Sequence, residues 1–122
     1  MITGMYVVGK LAKQLNYVKA SDILPECPIG KPGEEQCYYE AYVRKYVLDP
    51  AGMTHSGFIP SKVVWGIIAP AWNDTTYRHR VVQGQVSDEN AYSLGGISGN
   101  AGLFSTRDGC VQFNIKVDVC YR

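Results

Sequence analysis

Apolar side chains recur at helical spacing near the start of the chain, where Val8, Leu11, Leu15 and Val18 alternate with Lys10, Lys13 and Gln14. This pattern predicts a helix over residues 5–18 with one apolar face, weakened at Gly9 by the free backbone of glycine. From Ser21 to Gly33 the chain carries Pro25, Pro28, Gly30, Pro32 and Gly33, a run in which neither helix nor central strand persists. A second helix follows, with Tyr39, Tyr42, Val43, Tyr46 and Val47 forming one continuous stripe. Glu34 and Glu35 sit in its first turn and Arg44 and Lys45 near its end, as the helix dipole prefers. Glu40 precedes Arg44 by one helical turn, a pair worth ~0.3 kcal/mol on an exposed face. Asp49-Pro50 and Gly52 stop the helix.

Between Gly52 and Gly102 the periodicity fades, and only short apolar pieces such as Val63-Val64-Trp65-Gly66-Ile67-Ile68 interrupt the turn-forming residues. Irregular stretches of this length are usually functional or belong to something larger. The carboxyl terminus then alternates strictly: Val111, Phe113, Ile115, Val117, Val119 and Tyr121 are separated by polar residues or Cys120. Period two predicts a half-buried strand over residues 109–122, with no second alternating segment to pair with it. The whole reads as one incomplete α+β domain over residues 1–122, mostly helix and irregular loop with a C-terminal strand.

Composition narrows the function classes. An apolar content of 46% suits a modest core, and a net charge of +1 provides no field for nucleic acid or an anionic membrane. The densest basic spot, Arg78-His79-Arg80, reads as a solvated loop. No apolar run spans a bilayer, and Lys10 and Lys13 break up any signal-peptide core. Cys27, Cys37, Cys110 and Cys120 lack the spacing of a zinc site, so no metal and no cofactor is expected. Disulfides in any of three pairings and four reduced thiols both stay open.

Three stretches then resemble one family. Tyr42-Val43-Arg44-Lys45-Tyr46-Val47-Leu48-Asp49-Pro50-Ala51-Gly52-Met53 with Thr54 to Phe58, Gln83-Gly84-Gln85-Val86-Ser87-Asp88-Glu89-Asn90-Ala91, and Leu94-Gly95-Gly96 through Ala101-Gly102-Leu103-Phe104-Ser105-Thr106 occur in order. They are similar to an internal segment of the serine β-lactamase and penicillin-binding-type hydrolases, class C-like with related esterases. The resemblance covers about residues 38–108, and Tyr6-Val7-Val8-Gly9 resembles an earlier helix of that family. Residues 16–37 would be an insertion in it. The third stretch implies a glycine-rich lead-in to a helix starting at Ser105-Thr106. Beyond Asp108 the alternating strand departs from the family, which continues as a helix.

The resemblance implies acyl transfer on a β-lactam, peptide or ester, and an origin that is often the cell envelope. It also implies a Ser-x-x-Lys nucleophile, because a serine hydroxyl needs an amine neighbour to become reactive. No serine here has a lysine three positions on, and no tyrosine is followed two positions on by asparagine. Ser98-Gly99-Asn100 and His55-Ser56-Gly57 match Ser-x-Asn and His-x-Gly literally, but both stand at the wrong place in the order of motifs. The expectation is a fragment or truncated relative that is silent alone, with the rest of a hydrolase domain, or self-association, covering its apolar faces.

Two other classes compete. An improvised hydrolase would use Ser98 or Ser105 as nucleophile, His79 as base and Asp88 as orienter, a set that nothing in the spacing forces. A non-catalytic binding module would be stapled by Cys27, Cys37, Cys110 and Cys120. Asp88, Glu89 and Asn90 are cleft-lining candidates by resemblance, while their residue types alone favour caps and turns. Trp65 and Trp72, flanking Pro70, read as plugs at a core edge, and His55 as a surface turn residue.

Overall fold

In a computed structural model, residues 2–25, 27 and 33–111 are described. The first helix, α1, spans Ile2–Gln14, and the second, α2, spans Glu34–Val43. These two elements pack face to face. The buried positions of α1 are Met5, Gly9 and Ala12, and the last two are small. A Cβ at Gly9 would overlap the Glu35 carbonyl, so only glycine lets the two backbones approach this closely. The apolar face expected on Val8, Leu11, Leu15 and Val18 is therefore corrected. Leu11 and Leu15 stand 46% and 60% exposed, while Val18 is buried beyond the helix end. Close helix contact selects the small side chains, and the leucines are left on the outer face.

Helix α2 sits between two apolar clusters. Cys37, Tyr38 and Ala41 join Ala12, Val18 and Ile23 on the α1 side. On its other side Tyr39 and Val43 pack against the cluster of Met5, Phe58 and Ile97. The helix then widens over Arg44–Leu48, where Asp49 N–H donates to the Arg44 carbonyl at 2.9 Å and Met53 N–H to that of Leu48 at 2.9 Å. Both bonds span five residues, as in a π-turn. That wide turn breaks the expected stripe, turning Leu48 inward onto Ala51 and Met53 and leaving Tyr46 and Val47 exposed. Burying a side chain such as Leu48 stabilises by about 1.5–3 kcal/mol.

The Glu40–Arg44 pair forms, but not on an exposed face. Glu40 is buried, and Arg44 donates to it through Nε at 3.0 Å and to the Asp22 carbonyl through Nη2 at 2.6 Å. Arg44 thereby ties the connection after α1 to α2. The same connection is closed by a disulfide between Cys27 and Cys37, with Cα atoms 5.9 Å apart. Of the other two cysteines, Cys110 is exposed without a disulfide partner among the described residues, and Cys120 lies outside them.

Past Gly52 the chain is built from short pieces. A single 3₁₀ segment spans Lys62–Ile67, an antiparallel hairpin pairs β1 (Trp72–Asp74) with β2 (Arg80–Val82), and α3 spans Glu89–Ser93. Among the described residues the fold is thus α+β, helices and loops with one small sheet. Gly57 and Phe104 bridge as a lone antiparallel pair, with N–H to carbonyl distances of 3.0 and 2.8 Å. Ser105 and Thr106 lead into a helical turn at residues 107–111, where the Thr106 hydroxyl accepts the Gly109 N–H at 3.1 Å. The strand expected over residues 109–122 is corrected for 109–111, because this cap starts a helix there. Its remainder, residues 112–122, lies outside the described residues. No helix among the described residues is long and apolar enough to cross a membrane.

Candidate functional site

The loop-built half encloses a cleft of about 290 Å³. It is lined by Ile59, Pro60 and Trp65 and by the turn Gly84-Gln85-Val86. Tyr92, Gly95, Gly96 and Phe104 complete it. A smaller cleft of about 190 Å³ lies along the same Gly84–Val86 turn and is bounded by Ala69, Ala71 and Gly102 among others.

Glycines create the space. Gly84 has φ +69°, and a Cβ there would overlap the Trp65 indole, so the ring lies directly on bare backbone. The indole Nε1 donates to the Pro60 carbonyl at 3.0 Å, which consumes its only polar group. Gly96 has φ +93°, and a Cβ there would sit 3.5 Å from Ile59 Cγ1. Ile59 itself holds φ +29°. For a β-branched residue this is a strained conformation, of the kind that gathers at ligand clamps and switch regions.

Arg78 holds the cleft wall. Its Nη1 donates to the Val86 carbonyl at 2.8 Å and its Nη2 to that of Ser87 at 2.9 Å. The guanidinium lies 4.2 Å from the centroid of the Tyr92 ring. Its Nε stands 3.8 Å from Asp74 Oδ2, and neither of these two buried atoms has a hydrogen-bond partner among the described residues. Asp74 is fixed by its other oxygen, which accepts the N–H of Tyr77 at 2.9 Å and of Thr76 at 3.1 Å. The Tyr77 N–H leads in holding this carboxyl below its ordinary range; burial works against it, and the Thr76 N–H adds to it. The reading of Arg78-His79-Arg80 as a solvated loop is corrected for Arg78, whose side chain is only 3% exposed. His79 and Arg80 do face solvent.

The other candidates fall as follows. Asp88 is the N-cap of α3, its Oδ1 accepting the Ala91 N–H at 2.7 Å, and Glu89 and Asn90 form the exposed first turn. Ser98 is buried and donates to Asn100 Oδ1 at 2.5 Å. His79 is exposed on the hairpin loop at φ +52°. Ser98, His79 and Asp88 make no hydrogen bond with one another among the described residues. Ser105 Oγ lies 2.7 Å from Ser56 Oγ, a hydroxyl pair with no base attached. His55 is exposed and lies beside the Thr54 hydroxyl at 3.3 Å. Trp65 covers the cleft wall as a half-buried plug, while Trp72 lies exposed on β1.

No family model, curated protein or solved structure matches this chain. The site therefore rests on its own geometry. The sequence offered Asp88, Glu89 and Asn90 as cleft-lining candidates, but none of them is among the residues lining either cleft; Tyr92 and Phe104 on the cleft, and Arg78 against Tyr92, were missed. One signal for Arg78 was present: an aspartate and an arginine four positions apart, across the turn-forming Thr75-Thr76.

Proposed function

We propose that this chain supplies a loop-and-helix wall of a serine β-lactamase or penicillin-binding-type hydrolase, and is silent in acyl transfer by itself. The observation that carries this reading is spatial. The three stretches with the family resemblance meet: Gly57 of the first bridges Phe104 of the third, and Gly84–Val86 of the second line one cleft together with Gly95 and Gly96 of the third. Helix α2 locks the third stretch in place, because Gln36 Nε2 donates to the carbonyls of Leu94 and Ile97 at 2.7 and 3.1 Å. The chemistry of the site supports the silence: none of the described residues lining the larger cleft is a serine, cysteine, lysine or histidine. The test is incubation of the purified chain with a chromogenic cephalosporin. Colour should develop no faster than in buffer, and steady turnover would refute the silence.

A second reading, a disulfide-stapled binding module, is favoured by the Cys27–Cys37 bridge beside α2. Thiol titration before and after reduction checks the staple, because one bridge adds two thiols to the count. An unchanged count would remove it.

A further inference from the structure

We infer that the larger cleft is a binding site for a small, uncharged aromatic molecule that carries a hydrogen-bond acceptor. This inference stands on the cleft alone and does not depend on the hydrolase reading.

Size sets the first bound. A cavity of ~150 Å³ lined by apolar side chains holds a benzene ring. A cleft of about 290 Å³ therefore takes one ring with a substituent, or two fused rings.

The lining sets the chemistry. Trp65, Tyr92 and Phe104 present aromatic surface, and Ile59, Pro60 and Val86 present aliphatic surface. Aromatic rings gain from offset or edge-on contact with such neighbours, beyond the area they bury. No charged side chain among the described residues lines the cleft. Two cations stand beside the lining: Arg78 is committed to the Val86 and Ser87 carbonyls and lies over the Tyr92 ring, and Arg80 is committed to the Gln85 side-chain oxygen. A ligand carboxylate would thus lose its hydration without gaining a partner. The Gln85 side chain supplies the complementary polar group. Its oxygen already accepts from Arg80 Nη2, so its amide N–H₂ is left as a donor for a ligand carbonyl, nitro or ether oxygen.

Two further features fit a recognition site. At Gly95 an added Cβ would meet nothing within 4 Å, so a flat molecule can approach bare backbone there. Ile59, also in the lining, is held at φ +29°, a conformation retained against its intrinsic cost.

The test uses the full chain with Trp72→Phe, which removes the exposed hairpin tryptophan and leaves Trp65 as the only reporter. Titration with 4-nitrobenzyl alcohol, an uncharged quenching ring with acceptor oxygens, should quench Trp65 fluorescence along a saturating curve. The anionic 4-nitrobenzoate should need at least a tenfold higher concentration for half-saturation. Ile59→Phe fills the cleft from its open edge and should abolish the saturating component, with the circular dichroism spectrum unchanged. If that variant does not fold, nuclear Overhauser contacts between the alcohol and the Trp65 and Tyr92 ring protons of the unsubstituted protein decide instead. Their presence supports the site and their absence overturns it. Quenching linear in concentration and equal for both compounds would also overturn it.

Discussion

The two halves of this protein are held by different forces. In the helical half, α1 and α2 meet through Gly9, Ala12, Cys37 and Ala41, and stability comes from close backbone approach and apolar burial. In the loop half, few apolar side chains are fully buried, and side chains donate instead to carbonyls of chain without regular structure. Gln36 serves Leu94 and Ile97, Gln83 serves Ile68 at 2.6 Å, and Arg78 serves Val86 and Ser87. Irregular backbone that is removed from water needs such partners, because each buried carbonyl left without one is costly. The lesson is that a long irregular stretch can be well determined if a few polar side chains reach across it.

The largest effect is expected for Arg78→Met. It removes two charge-assisted hydrogen bonds from the loop half and leaves buried Asp74 without its counter-charge. Urea unfolding should show a loss of about 3 kcal/mol or more. A loss below 1 kcal/mol would mean that Arg78 does not hold the cleft wall. In the helical half the matching change is Gly9→Ala, where one methyl group forces α1 away from α2. Overpacking of this kind costs roughly 1–3 kcal/mol. An unchanged unfolding midpoint would show that the two helices do not touch at Gly9.

Acid acts on the loop half through Asp74. The Asp74 carboxyl has its folded pKa below the ordinary value of 3.8. Its contribution is therefore complete above that value and is lost as pH falls through the lower folded value. Unfolding midpoints should drop on acidification from pH 4 to 2, and Asp74→Asn should flatten part of that slope. Asp22, lowered first by the Lys19 N–H and then by Lys45, adds a slope of the same sign that the variant retains. Identical slopes in the two proteins would rule out Asp74 as a source. The smallest effect expected is for Asp88→Ala, which removes the cap of α3 and costs ~1 kcal/mol.

How much of this was legible in the sequence divides along the same line. Both helices could be read from their apolar spacing, yet the faces could not. The period marks which positions are apolar, while the contact between α1 and α2 selects for smallness at Gly9 and Ala12. The π-turn over Arg44–Leu48 then shifts Leu48 inward in a way that a regular period does not anticipate. Asp88 was legible as a cap from its residue type. The hairpin was not, because strands of three residues are too short to show alternation and their partners are set by the Asp74 turn. The cleft was hidden for a related reason. Tyr92, Phe104 and Trp65 are distant along the chain, and glycine backbone at Gly84 and Gly96 brings them together.

As proposed, the loop half forms a wall and supplies no reactive centre. Intact-mass spectrometry after incubation with a fluorescent penicillin tests this most directly. The mass of the chain should be unchanged, with no fluorescence retained after denaturation. A stoichiometric adduct on Ser98, Ser105 or any other serine would contradict it.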